Sequence, residues 1–386
     1  MAKSVGTNER RQRQMAGVLA YKKEFAFNAI CPYYTMFPLE FPMRILKQHR
    51  AKLPTVYDPF CGRGTTIYAA RKYGLKSYGL DTSPIAVAIA QAKLASAELQ
   101  DVMNLAEELI AKTPTDMPDK PFFERAFSEK TLMEICSLRS GLLNEKKATN
   151  ESSILRAAVL GCLHGPLPVG KATPSYFSNQ MPRTFSSKPD YSLKYWRDHE
   201  RLPPNVSVME VLAKKLKRIQ DLNSDSPSHI HNVKCSDARK ASSFARIEGP
   251  IVVVTSPPYY GMRTYVQDQW LRMWFLGGGE EINYENNNQI CHSGHEHFIK
   301  DLSKVWSAIG NRAQDEAHLY VRFGSIPSAK SDARAIMKSS LEDAGSWKLI
   351  SVRNAQTAHS GKRQADYMGG KSIPATEFDF HAVLNV

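Results

Sequence analysis

Two short stretches of this 386-residue chain combine residue types and spacings that can do chemistry. The first is Asp58-Pro59-Phe60-Cys61-Gly62-Arg63-Gly64-Thr65-Thr66. Its two glycines let a ligand approach the backbone closely, because glycine has no side chain and tolerates left-handed conformations. The acid comes before the glycines and the spacing is G-x-G. That argues against a dinucleotide, whose pyrophosphate needs the free N-terminus of the following helix. An aspartate here can instead pair with the ammonium of an amino-acid moiety, directly or through water. Asp81, at the end of the next extended run, is placed to accept hydrogen bonds from both hydroxyls of a ribose. An ordinary tight turn with a solvated acid is the competing reading; two acids at consecutive strand ends weigh against it.

The second stretch is Thr255-Ser256-Pro257-Pro258-Tyr259. Consecutive prolines fix φ and remove two donors, which stiffens the backbone and leaves carbonyls free to accept. The Ser256 hydroxyl and the Pro257 carbonyl then form a rigid acceptor pair that can hold an amino group by its two hydrogens, with the nitrogen lone pair aimed at an electrophile. The Tyr259 ring offers a stacking face for a planar base. A proline-stiffened turn with no ligand is the plainer alternative.

The surrounding pattern says what positions these residues. Thr55 to Asp58 reads as a strand, Thr65 to Tyr73 as a helix stopped by Gly74, and Lys76 to Leu80 as a second strand closing on Asp81. Ser83 caps a helix that starts with Pro84 and runs from Ile85 to about Leu99. Ile251 to Val254 is a continuous β-branched run, as in a strand buried on both faces. His297 to Arg312 has helical periodicity and His318 to Phe323 reads as a strand. Trp347 to Arg353 and Phe378 to Leu384 read as an antiparallel edge pair. Strand, glycine turn, helix, strand, acid, helix is the opening of a doubly wound α/β sheet, at whose strand carboxyl ends ligands bind.

Between Asp101 and Asn232 the pattern changes. Helical stretches (Asp101 to Lys112, Ser128 to Leu143, Ser152 to Leu163) give way to a Pro-, Ser-, Lys- and aromatic-rich run from Pro166 to Pro204. We read residues 101–229 as an inserted, mainly helical and loop-rich subdomain, 21–100 and 230–386 as the catalytic domain, and 1–20 as a flexible basic arm.

Composition sets the remaining bounds. Hydrophobic content of 42% and charged content of 23% are those of a globular chain. No apolar run reaches the ~18–20 residues that span a bilayer, and the polar start does not read as a secretory signal, so a cytoplasmic protein is expected. Lys plus Arg is 51 against 38 for Asp plus Glu, a net +13 that favours a polyanionic partner. The six cysteines contain no C-x-x-C pair and imply reduced thiols. Cys291, His292, His295 and His297 cluster in sequence without a standard zinc spacing, and no metal is expected.

Together, D-P-F-x-G-x-G and S-P-P-Y resemble the amino-methyltransferases of DNA, which form N4-methylcytosine or N6-methyladenine. The resemblance covers roughly residues 25–100 and 230–386. It implies a Rossmann-like class I methyltransferase fold, S-adenosylmethionine as cofactor and DNA as partner. Pro32 to Pro38 loosely resembles the family's N-terminal cofactor-flanking motif, and Cys235-Ser236-Asp237-Ala238 resembles the segment whose acid lies near the cofactor's adenine. By that likeness Thr35, Asp58, Phe60, Cys61, Gly62, Gly64, Thr65, Asp81, Ser83 and Asp237 would bind S-adenosylmethionine. Ser256, Pro257, Pro258 and Tyr259 would hold the target base. Serine at the head of the tetrapeptide favours cytosine-N4 over adenine-N6. The cofactor turn preceding S-P-P-Y is one of the family's motif orders, and the large insertion between them is the candidate for target recognition. There Arg183, Lys188, Lys194 and Arg197 are candidates for phosphate contact, with Tyr191 or Trp196 near bases; Arg263 would lie beside the base pocket. An RNA base methyltransferase, a protein methyltransferase acting on a glutamine amide (where N-P-P-Y would be expected in place of Ser256) and an inactive nucleic-acid-binding subunit are the alternatives, and no partner restriction enzyme is legible.

Overall fold

The computed structural model describes residues 26–33, 38–165, 174–179, 188–219, 231–245, 249–261, 266–284, 289–313, 316–326, 329, 331–355 and 376–385. Among them, 33–94, Lys188 and 231–385 form a sheet unit; 26–32, 95–179 and 189–219 form a helical unit.

The sheet unit is organised by its most apolar strand. In β4 (Ile251–Thr255) all residues are buried, which a β-branched run tolerates because helices cover both faces of a parallel sheet. Its neighbours are β1 (Thr55–Asp58), likewise buried throughout, and β5 (Ala317–Ser325). The remaining strands are β2 (Ser77–Asp81), β3 (His231–Cys235), β6 (Trp347–Asn354) and β7 (Thr376–Leu384). The order is β3-β2-β1-β4-β5-β7-β6, and β7 runs antiparallel to both β5 and β6. This is the expected doubly wound, Rossmann-like α/β sheet with an antiparallel edge pair. The chain winds away in opposite directions from β1 and β4, which pair with Thr55 opposite Ile251 and Tyr57 opposite Val253. The two candidate motifs therefore leave the sheet side by side at the topological switch point. β3 carries no apolar run; it is an edge strand in which only Val233 is buried, which is why periodicity does not reveal it.

Among the described residues, six α-helices flank this sheet. The first three are α1 (Glu40–His49), α2 (Thr65–Lys72) and α3 (Pro84–Ala92). The Ser83 hydroxyl accepts the Ala86 amide at 3.4 Å, as the capping pattern requires. α3 ends well before Leu99. The alanine-rich spacing continues, but the buried Arg71 guanidinium donates to the Lys93 carbonyl at 2.6 Å, and Leu99 opens a separate helix.

The helical unit holds α4 (Leu99–Ile110), α5 (Pro121–Ala126), α6 (Glu129–Leu143), α7 (Asn150–Cys162), α8 (Pro189–Asp198) and α9 (Val208–Lys217). Ser128 and Ser207 cap α6 and α9, and Thr149 forms a capping box with Ser152 on α7. Trp196 is fully buried against the rings of Phe122 and His164.

Back in the sheet unit, α10 (Val266–Phe275), α11 (His295–Gly310) and α12 (Ala333–Ala344) complete the layers. Phe298, Leu302, Val305 and Trp306 of α11 pack with Leu319, Val321 and Phe323 of β5 and Ile336 and Met337 of α12. Each such large side chain removed from water stabilises the fold by about 1.5–3 kcal/mol. The Trp306 indole donates to Ser340 at 3.1 Å, so its polar edge is satisfied inside the core. No helix among the described residues is long and apolar enough to cross a membrane.

Candidate active site

The site is built on the carboxyl ends of β1, β2, β3 and β4. β1 delivers Asp58 into a fully buried position. Its Oδ1 accepts the Thr255 hydroxyl at 2.6 Å and the Phe60 amide at 3.2 Å. Its Oδ2 is buried with no hydrogen-bond partner among the described residues; the Thr66 hydroxyl is directed at the Val254 carbonyl, 3.0 Å away. Burial pushes the Asp58 carboxyl up to about 7, against the pull of these hydrogen bonds. A buried carboxylate oxygen without a donor is what a cationic ligand group would satisfy.

The glycine turn that follows has two distinct parts. Gly62 adopts φ +48° and a Cβ there would meet nothing within 4 Å, so the turn presents open backbone. Gly64 adopts φ +75°, and a Cβ there would sit 2.7 Å from Cβ of Ala90, so this glycine is required where α2 packs on α3. Asp81 at the end of β2 braces the turn. Its Oδ2 accepts the Gly62 amide at 2.9 Å and its Oδ1 the Ser83 amide at 2.8 Å. Burial raises its pKa despite those bonds.

Tyr33, unremarked in its segment, belongs to the same cluster. Its hydroxyl hydrogen-bonds the Ser83 side chain, and burial followed by the Asp81 charge holds the phenol in its protonated form. Phe60 is half-buried with its ring edge-on to Trp306 at 6.3 Å. The Cys61 side chain lies in an apolar cluster with Ile67, Val87 and Ala90, where burial raises the thiol well above its usual value. Thr65 is buried in the first turn of α2. Thr35 lies outside the described residues.

Asp237 stands just after β3, but its carboxylate is already engaged. The Arg239 Nε lies 3.0 and 3.1 Å from its two oxygens and Nη2 is 2.9 Å from Oδ2. Arg239 reaches on to Asp301 of α11 at 2.7 Å, and Asp301 also accepts the Cys291 amide at 3.2 Å. Despite burial, the guanidinium holds Asp237 below the usual carboxylate range, and the Cys291 amide followed by the guanidinium does the same for Asp301. Nothing in the spacing of Asp237 and Asp301 announces this bridge, which only the fold creates.

The second motif leaves β4 at Thr255. Ser256 and Pro258 are half-buried and Pro257 is buried. The Tyr259 ring is 9% exposed, edge-on to Phe323 at 5.6 Å and 84°, and its hydroxyl donates to Glu377 at 2.8 Å. It is thus packed on β5 and β7, not standing open as the motif alone suggests. Tyr260 is the more exposed ring. It stacks on His295 at 4.2 Å and 27°, with Phe298 edge-on at 5.4 Å. The Gly261 amide donates to Nδ1 of His292 at 3.2 Å. The cluster from Cys291 to His297 therefore lies against the S-P-P-Y turn. No group of three or more metal-ligating side chains able to hold an ion occurs among the described residues.

Of the basic candidates, Lys188 lies 4.0 Å from the Asp268 carboxylate of α10, while Lys194 and Arg197 are exposed on α8. Trp196 is core, whereas Tyr191 is 60% exposed. Arg183 and Arg263 lie outside the described residues.

The strand order brings the acid-and-glycine turn on β1, the acid ending β2 and the proline-stiffened turn on β4 to one end of an open, doubly wound α/β sheet, where such folds bind ligands. Residues 7–92 match the family described as DNA methylase, the N6/N4 methyltransferases. That match contains the D-P-F-C-G-R-G turn and ends before S-P-P-Y. The chain is 31% identical to the type II methyltransferase M.MjaII of Methanocaldococcus jannaschii over 86 residues, 22% of this chain. It spans only 16% of that relative's length. Among solved structures it is similar to magnesium protoporphyrin IX methyltransferase from Synechocystis with bound SAM, at 10% identity and a TM-score of 0.31, covering 96% of this chain and 91% of the other.

Proposed function

We propose that this chain is an S-adenosylmethionine-dependent methyltransferase acting on the exocyclic amine of a base in DNA, cytosine-N4 ahead of adenine-N6. The observation that carries the reading is adjacency. β1 and β4 are hydrogen-bonded neighbours, so the acid-and-glycine turn and the S-P-P-Y acceptor turn emerge together.

The residues present fit the cofactor. The Asp58 Oδ2 would take the ammonium of its amino-acid part, the open backbone at Gly62 would admit it closely, and the outer lone pairs of Asp81 would receive the ribose hydroxyls. Asp237 would reach the adenine while keeping its bond to Arg239. When bound, S-adenosylmethionine supplies a methyl group on a sulfonium, already a good leaving group. The protein's part is then placement. The Ser256 hydroxyl and Pro257 carbonyl would accept the two amine hydrogens and so fix the direction of the nitrogen lone pair. The buried, protonated Cys61 is unsuited to be the nucleophile that carbon-5 methylation uses.

The net charge of +13 and the likeness to a type II methyltransferase support DNA as substrate, and serine at position 256 supports cytosine. In duplex DNA the target base must leave the stack. The test is transfer of labelled methyl from the cofactor to duplex DNA, single-stranded DNA and RNA, followed by nucleoside identification. Ser256→Ala should lower turnover roughly 10- to 100-fold while leaving cofactor affinity nearly unchanged, since it removes one acceptor from the base alone. Unchanged turnover would remove Ser256 from the mechanism, and a label found only in RNA would transfer the proposal to that polymer.

A further inference from the structure

Tyr259 sits in a slot prepared by strands distant in sequence. β7 enters the sheet antiparallel to β5, with Glu377 opposite Gly324 and Phe378 opposite Phe323. The start of β7 therefore lies at the carboxyl end of β5, beside the turn that follows β4. Gly324 leaves the slot open: a Cβ there would lie 2.7 Å from the Thr376 carbonyl and 3.0 Å from Cε2 of Tyr259. Phe323 meets the Tyr259 ring edge-on, and Glu377 takes its hydroxyl at 2.8 Å.

We propose that Glu377 is a positioning residue for the S-P-P-Y turn: by accepting the Tyr259 hydroxyl it fixes the ring, and through Pro257 and Pro258 the acceptor pair made by Ser256 and Pro257. An edge-to-face contact alone leaves a ring free to slide and rock. The hydrogen bond adds a direction, and a hydroxyl donating to a carboxylate is stronger than a neutral pair. The two prolines forbid much of the backbone adjustment that would otherwise absorb a shift of the ring. The catalytic consequence rests on the reading of S-P-P-Y as the base-holding turn; the restraint on the turn does not.

The experiment compares wild type, Glu377→Ala, Glu377→Gln and Tyr259→Phe in the full chain. Two readouts are taken: hydrogen exchange of the peptide spanning 251–261, and methyl transfer with separate kcat and KM for DNA and Kd for cofactor. Glu377→Ala is expected to speed exchange in that peptide and to lower kcat about tenfold or more, with cofactor Kd within about twofold of wild type. Glu377→Gln keeps a carbonyl acceptor and should restore most of both. Tyr259→Phe, the milder change, should loosen the same peptide if Glu377→Ala fails to fold. Unchanged exchange in Tyr259→Phe, or Gln as impaired as Ala, would overturn the proposal. Should wild type methylate no nucleic acid, the functional reading falls, while the exchange data still decide whether Glu377 holds the turn.

Discussion

The Thr255 hydroxyl donates to Oδ1 of Asp58 across 2.6 Å, joining the last residue of β4 to the last residue of β1. One buried bond thereby links the acid proposed to hold the cofactor with the strand end that launches S-P-P-Y. Thr255→Val keeps the β-branched shape and removes the bond. Asp58 then loses a donor that stabilises its charged form, its pKa climbs further, and cofactor affinity near pH 7.5 is expected to fall about tenfold. Calorimetric titration of the two proteins measures this; equal affinities would mean that the bond is structural only.

The Asp58 carboxyl, raised to about 7 by burial, makes both binding and stability depend on pH. A cationic ligand favours the ionised form, so affinity should be level above about pH 7. Below it, affinity should weaken up to roughly tenfold per pH unit, because binding must first remove a proton. Asp58→Asn should bind weakly with a flat profile. The stability of the free protein has the opposite sign. Between about pH 4 and pH 7 the folded state keeps this proton and the unfolded state has lost it, so this group's contribution declines as pH rises through that window. The melting temperature of Asp58→Asn should therefore gain on wild type between pH 5 and pH 8. A gap that stays constant would contradict the assignment.

Two glycines in one turn should fail for different reasons. Gly64→Ala combines a left-handed backbone with a 2.7 Å approach to Cβ of Ala90, and should destabilise by about 2–4 kcal/mol. Gly62→Ala meets no neighbour within 4 Å and should cost only about 1–2 kcal/mol of backbone strain, yet weaken cofactor binding because the methyl occupies the open backbone. Melting curves and cofactor titration separate the two. A Gly62→Ala protein that binds normally would remove this glycine from the site.

Away from the site, at the amino-terminal end of β5, three histidines converge. His318 Nδ1 lies 3.0 Å from His381 Nε2, and His49 Nε2 lies 2.9 Å from the Tyr320 hydroxyl. His381 is brought down to about 4 by burial first and then by His318, His49 and Arg353. Its folded pKa lies below the unfolded value, so its contribution is present above about pH 6.5 and is lost as pH falls toward 4. His381→Phe keeps a ring to stack on Tyr320 and should show a shallower loss of melting temperature from pH 7 to pH 5 than wild type. A steeper loss would contradict this.

The chemistry-bearing turns and the strands that launch them were legible because each is local. The valine run of β4, the D-P-F-x-G-x-G turn and the prolines all act within a few residues, and periodicity with turn chemistry is enough to place them. The edge pair of β6 and β7 was legible as well. What escaped depends on contacts made across the sheet. β3 is polar because it lies at an edge, the break after α3 follows from Arg71 capturing the Lys93 carbonyl, and Arg239 bridges Asp237 to Asp301 from different elements. The S-P-P-Y motif offers the Tyr259 ring as a stacking face, while the ring's packing involves Gly324 and Glu377, neither of which belongs to a motif. Thr35, Arg183 and Arg263 lie outside the described residues.

The most direct test of the central claim is mass spectrometry of nucleosides from the DNA of cells expressing this chain, with a Ser256→Ala strain as control. N4-methylcytosine is expected in the wild-type strain, and its loss in the variant. N6-methyladenine lost in the same way would keep the mechanism and change the base. DNA carrying neither mark, from cells whose expressed protein still binds the cofactor, would contradict the claim that DNA is the substrate.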